Sequence, residues 1–350
     1  TQIRTRLVTV DPVANGDECP VLVSYQSCTP RLCVLCKGLY EEGERLQQVA
    51  LSTRPLASDV VFVVDETYSM AAEHIWLRGI AESLDDMLQL KGIGNDSSLP
   101  NRYALVGYGQ RADRPLLLRP HHYRRSGSNS DFLTPGEFKS VAEEKLQNDP
   151  QGRVEDGYLA IHYALNQLAL RHSSQVAVQV ILLSDEDRDI IRPDGENITR
   201  SALRHQLRQA GDYLNVIVDN SLFVDSSVAL GGSRQVAYQD STLPTPMKTT
   251  AEMTVGPGFG GTSHEYVRLA LNEGGTSWDI NYIQASGDAF TAAFLDAIVE
   301  QAVEFGNECQ NCQCVDDGGS GTLSCTRNKH QARCKCDVQG KTFSTNYRCM

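Results

Sequence analysis

The pattern of apolar residues along the chain changes at Asp59. Over Asp59-Val60-Val61-Phe62-Val63-Val64-Asp65 the apolar positions run almost unbroken, as in a strand covered on both faces. The next stretch, 71–90, places Ile80, Leu84, Met87 and Leu88 at helical spacing. The same alternation continues down the chain. Strands are predicted at 103–108, 175–184, 213–219 and 278–283, and helices at 158–170, 199–210, 264–271 and 289–305, with Thr199 as an N-cap. Alternating strands and helices predict an α/β fold: a doubly wound, mostly parallel sheet with helices on both faces. Residues 1–57 read as an irregular or β-rich lead-in. Residues 221–261, rich in Gly, Pro, Ser and Thr, read as a long insertion or irregular loop.

Composition narrows the class. The 350 residues allow two or three domains, and the net charge of −12 speaks against nucleic-acid binding, which needs clustered Lys and Arg. No apolar run approaches the ~18 residues of a membrane span. The sequence starts at Thr1 without a signal-like stretch, as after removal of a leader or at the start of a fragment.

The 11 cysteines sit at the two ends: Cys19, Cys28, Cys33 and Cys36, then Cys309, Cys312, Cys314, Cys325, Cys334, Cys336 and Cys349. A cysteine-free middle between stapled ends implies disulfides and an oxidising compartment. The odd count leaves at least one cysteine unpaired, bridged to another chain or paired beyond this sequence. Sequons at Asn95 and Asn197 agree with secretion. Three segments follow: 1–57, cysteine-containing; 58–308, the α/β domain; and 309–350, cysteine-rich.

Candidate chemistry lies at the end of the first buried strand. In Asp65-Glu66-Thr67-Tyr68-Ser69 a carboxylate alternates with two hydroxyls, so one tight loop can turn three oxygens toward one point. Mg²⁺ takes about six such oxygens, some from water. A helix amino terminus alone repels cations, so further acidic groups must offset it. Glu155-Asp156 and Asp185-Glu186-Asp187-Arg188-Asp189 can supply them. In a parallel sheet all three loops open at one edge, where ligands of such sheets bind. Taken by itself the first loop reads equally well as a helix start with Ser69 as N-cap. Asp156 likewise reads as a ligand or a cap, and Arg188 as a partner for one of its acidic neighbours.

These residues resemble the metal-ion-dependent adhesion site of von Willebrand factor A domains, whose first loop reads Asp-x-Ser-x-Ser. Asp65, Thr67 and Ser69 match it, with Thr keeping the hydroxyl. The Ile-Leu-Leu-Ser-Asp run ending at Asp185 is similar to the family's second acidic loop, with Glu186 where Gly is usual. Val154-Glu155-Asp156-Gly157-Tyr158 looks like the Glu-Gly-Gly segment in the related domains of integrin β polypeptides, which implies Glu155 rather than Asp156 as the ligand. The segments 104–108 and 274–278 also fit family strands, and the resemblance covers roughly 58–306. It implies a Mg²⁺, Mn²⁺ or Ca²⁺ ion on Asp65, Thr67, Ser69, Glu155 and Asp185. The tail from Cys309 to Cys349 resembles a small epidermal-growth-factor-like module.

Other motifs carry less. Gly256-Pro257-Gly258-Phe259-Gly260-Gly261 contains a formal G-x-G-x-x-G but follows a loop-like stretch, so a flexible loop is expected rather than a dinucleotide site. His121-His122-Tyr123-Arg124-Arg125 is a small basic cluster, expected to be solvated, with a sulfated glycan or acidic protein as the alternative partner. The Cys-x-x-Cys pairs fit disulfides better than zinc in an oxidising compartment. His162, His172 and His264 pair with no nucleophile in sequence, and no Gly-x-Ser-x-Gly elbow occurs, so no enzyme is expected. A metal-assisted hydrolase would need a general base that the sequence does not supply.

Two functions remain. One is a secreted adhesion or matrix module whose metal receives a carboxylate from a protein partner. The other is a structural assembly protein that binds copies of itself through disulfides or packing, with a vestigial metal loop.

Overall fold

Every residue of the strand ending at Asp65 is buried, as its unbroken apolar run requires. The computed structural model describes residues 45–48, 56–109, 120–146, 155–173, 175–189, 198–239, 246–307, 312–316, 319–320, 322–328, 331–338 and 341–347. In chain order the elements are β1 (Arg45–Gln48), β2 (Ala57–Asp65), α1 (Ala71–Leu90), β3 (Arg102–Tyr108), β4 (His121–Tyr123), α2 (Pro135–Lys145), α3 (Gly157–Gln167), β5 (Val176–Ser184), α4 (Arg200–Ala210) and β6 (Tyr213–Val218). There follow β7 (Asn220–Val224), β8 (Ser227–Gly232), β9 (Ala237–Gln239), β10 (Met247–Thr249), β11 (Thr254–Gly258), α5 (Arg268–Asn272), β12 (Ser277–Asp279), α6 (Asn281–Ala285) and α7 (Gly287–Asn307). The last strands are β13 (Cys312–Asp316), β14 (Gly319–Ser320), β15 (Thr322–Asn328), β16 (Gln331–Val338) and β17 (Lys341–Tyr347).

The fold is mixed α/β with a mostly parallel central sheet flanked by helices. Strands β12-β6-β5-β2-β3 lie side by side and parallel. Antiparallel β4 extends one edge, and β8, β9 and β10 extend the other. Alternate residues of β2 face opposite layers. Val60, Phe62 and Val64 pack with Leu77, Ile80 and Leu84 of α1, Phe138 of α2 and Phe290, Phe294 and Ile298 of α7. Val61 and Val63 pack with Ile161 and Leu165 of α3, Leu203 and Leu207 of α4 and Leu269 of α5. Burying each such side chain is worth about 1.5–3 kcal/mol, so the two apolar layers fix the helices over the sheet.

This topology positions the site. From β2 the chain crosses to β3 on one side, and later enters β5 on the other. The carboxyl ends of β2 and β5 therefore flank a topological switch point, where open α/β sheets form their ligand crevice. At the opposite edge Asp59 is fully buried. It accepts hydrogen bonds from Arg102 Nε and Nη2 at 3.0 and 2.6 Å and from the Arg171 backbone N–H at 2.9 Å.

Most predicted elements form, including the Thr199 cap, whose hydroxyl accepts from Ala202 N–H at 3.1 Å. Four readings need correction. The described residues of 221–261 are not an irregular loop: β7, β8, β9, β10 and β11 build the antiparallel end of the sheet. The strand expected over 278–283 ends at Asp279 and gives way to α6. The helix expected from His264 begins as a π-turn, Ser263–Val267, before α5. The basic cluster is no loose loop, because His121–Tyr123 pairs with β3 as β4. Helix α2 is an addition to the predicted elements. Thr134 and Glu137 form its capping box with Pro135 in the first turn, a signal visible in sequence.

The flanking strands form two small sheets. One is β1-β13-β14, and the other is β15-β16-β17, which sets Cys325 opposite Cys334 in register. Cys19, Cys28, Cys33, Cys36, Cys309, Cys349 and Asn197 lie outside the described residues. No helix among the described residues is long and apolar enough to cross a membrane.

Candidate metal centre

Carboxylate oxygens of Asp65, Glu155 and Asp185 lie within 4.8 Å of one another. Each comes from a different loop. Asp65 is the last residue of β2, Glu155 stands two residues before α3, and Asp185 directly follows β5. Asp65 and Glu155 are buried and Asp185 half-buried.

The Asp65 loop is locally ordered. Asp65 Oδ1 accepts from the Thr67 backbone N–H at 2.9 Å and from Thr67 Oγ1 at 2.8 Å. Thr67 Oγ1 lies 3.2 Å from Ser69 Oγ. The three oxygen-bearing side chains of Asp65, Thr67 and Ser69 thus share one turn. The reading of Ser69 as an N-cap does not hold: Met70 occupies the cap of α1, without a side-chain cap bond. Ser184 Oγ donates to Asp65 Oδ2 at 3.2 Å, tying the ends of β2 and β5 together. His74, in the first turn of α1, has its Nε2 2.7 Å from the Asp65 carbonyl oxygen.

Gly109 shows how tightly the crevice is built. Its φ is +87°, and a Cβ there would lie 2.7 Å from Asp65 Oδ1 and 3.5 Å from Glu155 Cγ. Only glycine meets both demands. Sequence reading misses it, although a glycine directly after an apolar strand is a visible signal.

Electrostatics and satisfaction point to a missing positive charge. Burial pushes the Asp65 carboxyl up, and the Asp185 charge adds to this against opposing hydrogen bonds from Glu155 and Thr67. Burial also pushes Glu155 up, reinforced by Asp65, Glu186 and Asp185. Carboxylates this close hold a proton between them unless a cation takes its place. Glu155 Oε2 and Asp185 Oδ1 are buried without a hydrogen-bond partner. Orphaned acceptors beside two hydroxyls form an oxygen-only donor set, which fits Mg²⁺, Mn²⁺ or Ca²⁺ better than softer ions.

The other acidic residues are engaged elsewhere. Asp156 caps α3 by accepting from Leu159 N–H at 3.2 Å, and it pairs with Arg188 at 2.6 Å. Glu66 is buried and meets Tyr123 Oη and His121. Asp187 Oδ2 accepts from Gly261 N–H at 2.7 Å, and a Cβ on Gly260 would collide with the same carboxylate. The G-x-G-x-x-G segment is therefore not a flexible loop: Gly256 to Gly258 end the antiparallel strand β11, and Gly260 and Gly261 pack a turn against the acidic loop, which is not the strand-to-helix context of a dinucleotide site. The basic cluster is also neutralised: His122 and Arg124 meet Asp131, and Arg125 meets Glu137. His162 contacts Gln206, His172 contacts Asp212, and His264 contacts Arg268.

The fold and site define a doubly wound α/β protein with an acidic crevice at its switch point. Among solved structures, the chain is similar to proximal thread matrix protein 1 from the mussel byssus. In one crystal form the match has 14% identity and a TM-score of 0.38, covering 77% of this chain and 49% of that one. In a structure of the same mussel protein with a zinc-occupied MIDAS motif, the values are 14%, 0.39, 77% and 49%. The chain spans about half the length of these structures. No family model and no curated protein matches it.

Proposed function

We propose that this protein is a secreted, extracellular adhesion or matrix module of the von Willebrand factor A type. It binds a partner protein through a divalent cation on Asp65, Thr67, Ser69, Glu155 and Asp185. The observation that carries this reading is the meeting of Asp65, Glu155 and Asp185 within 4.8 Å. When bound, the ion would supply a coordination position for a carboxylate oxygen of the partner. The chain's own residues do the rest. Asp65 and Asp185 provide charge, Thr67 and Ser69 provide neutral oxygens, and Ser184 and Gly109 keep the crevice narrow.

Three segments organise the reading: a cysteine-bearing lead-in over 1–57, the von Willebrand-type domain over 58–308, and an epidermal-growth-factor-like tail over 309–350. Asn95 is an exposed glycosylation candidate in the loop between α1 and β3. That loop lies at the edge of the sheet away from the metal cluster, so a glycan there leaves the crevice open.

Calorimetric titration with Mg²⁺, Mn²⁺ and Ca²⁺ tests the reading directly. Saturable 1:1 binding that disappears in Asp65→Asn is the expected result, and partner capture should cease in EDTA. Absence of heat for all three ions would sink it.

Self-assembly is the second reading, favoured by the odd count of 11 cysteines, which leaves a thiol to bridge another copy of the chain. Ladders on non-reducing gels that collapse with reductant would support it.

A further inference from the structure

Arg188 sits among acidic residues yet gives its charge to none of the three clustered carboxylates. Its guanidinium makes a two-pronged bond to Asp156, with Nε to Oδ1 at 2.6 Å and Nη2 to Oδ2 at 2.9 Å. Side-chain exposure is 5% for Arg188 and 12% for Asp156. The guanidinium also lies 4.5 Å above the centre of the Tyr158 ring. Its backbone N–H donates to Glu265 Oε2 at 3.1 Å. One residue later, Asp189 N–H donates to the Glu155 carbonyl at 2.8 Å.

The π-turn closes the arrangement from a third side. Tyr158 Oη donates to the Glu265 carbonyl at 2.8 Å, and Gly157 N–H donates to Tyr266 Oη at 3.2 Å. Gly157 could not carry a side chain, because a Cβ would lie 2.7 Å from that hydroxyl. Asp187, bound by Gly261 N–H, anchors the front of the same turn. The loop bearing Glu155, the loop bearing Asp185 and the segment 260–266 are therefore pinned to one another, with Arg188 at the centre.

We propose that Arg188 is a positioning residue for the metal centre. It sets the spacing of Glu155 and Asp185 by clamping Asp156 from the neighbouring loop, and Glu265 holds it in place. This inference rests on the metal reading above. Its physical content is a sign. A guanidinium near a cation site repels the cation, so its removal should tighten binding if charge alone matters. If Arg188 acts by holding the two loops in register, its removal should weaken binding, because a misplaced carboxylate loses coordination geometry. Residues that orient metal ligands characteristically change affinity by about 10–100-fold.

The test is calorimetric titration of the full chain with Mn²⁺ alone, for wild type, Arg188→Ala and Arg188→Lys. Melting of each in EDTA establishes that it folds. The proposal expects Arg188→Ala to bind Mn²⁺ about tenfold more weakly. Arg188→Lys, which keeps the charge but lacks the two-pronged fork, should be weakened as well. If Arg188→Ala does not fold, Arg188→Lys decides the matter, because charge is then constant. Equal or tighter binding in the folded variants overturns the clamp while leaving the metal site intact. Failure of wild type to bind Mn²⁺ instead overturns the metal reading on which the clamp depends.

Discussion

Asp65 is engaged on every side: Glu155, Thr67 and Ser184 hydrogen-bond to its carboxylate, and the His74 ring approaches its carbonyl oxygen. What it lacks is positive charge, and that deficit makes its substitution informative. In Asp65→Asn the buried repulsion with Glu155 and Asp185 falls, so the metal-free protein should be at least as stable as wild type in urea melts. The response to cation should vanish. For wild type, an ion at 100-fold its Kd adds about 2.7 kcal/mol, a rise in Tm of about 5–10 °C. A variant that still shows this rise in differential scanning fluorimetry would count against Asp65 as a ligand. Gly109→Ala should fail differently. It forces a Cβ against Asp65 Oδ1 at positive φ, so it should cost about 1–3 kcal/mol in stability and weaken cation binding together. Asp65, Thr67, Ser69 and Asp185 are legible from spacing, because strand-end carboxylates and alternating hydroxyls are a local pattern. Gly109, Ser184 and Arg188 do not stand out as part of the site, because their roles exist only where separate loops meet.

At the scale of elements, long apolar periods are easy to read and short polar ones are not. The stretches that form β2 and β5 carry their signal in nearly every residue. The strands between Asn220 and Gly258 do not. They are short, and Gly231 and Gly256 lie where a Cβ would press on Trp278 and Phe223. Glycine that reads as loop in sequence is here close packing in a sheet. Asp225 and Ser226, at φ 47° and 68°, turn β7 into β8 and add to the loop-like appearance. Helix α2 shows the opposite case, because its capping box is plain in sequence while its apolar period is weak. Thr134→Ala should lose the hydroxyl that accepts from Glu137 N–H and cost about 0.5–2 kcal/mol by chemical denaturation. Cation affinity should not change, because α2 packs on the face of the sheet remote from α3 and its loop. A shift in affinity would mean that the two layers are more strongly coupled than this architecture implies.

For the whole molecule, the edge opposite the Asp65, Glu155 and Asp185 carboxylates is held by a buried ion pairing. Burial works to raise Asp59, but hydrogen bonds from Arg102 and Arg171 outweigh it and hold the carboxyl below its usual value of 3.8. A depressed carboxylate adds stability that is present above the unfolded value and is lost as pH falls through the folded one. Acid unfolding should therefore have a component below about pH 4 that Asp59→Asn removes, and at pH 7 the variant should be destabilised by about 3 kcal/mol. Urea melts at pH 7 and pH 3 check both. A variant equal to wild type at pH 7 would refute the pairing as a stabilising feature.

The sequence by itself determined the alternation of buried strands and amphipathic helices, and hence a parallel sheet with its acidic loops at one edge. Periodicity and strand-end chemistry are written in neighbouring residues, so no folding is needed to see them. The choice of Glu155 over Asp156 comes from resemblance, not from the pattern of residues, and only the tertiary structure decided that Glu155 meets Asp65 and Asp185 while Asp156 turns to Arg188. It also decided that the glycine-rich segment braces an acidic loop. Those outcomes depend on distances between residues tens to more than a hundred positions apart, and such distances are set by how two apolar layers stack the helices on the sheet.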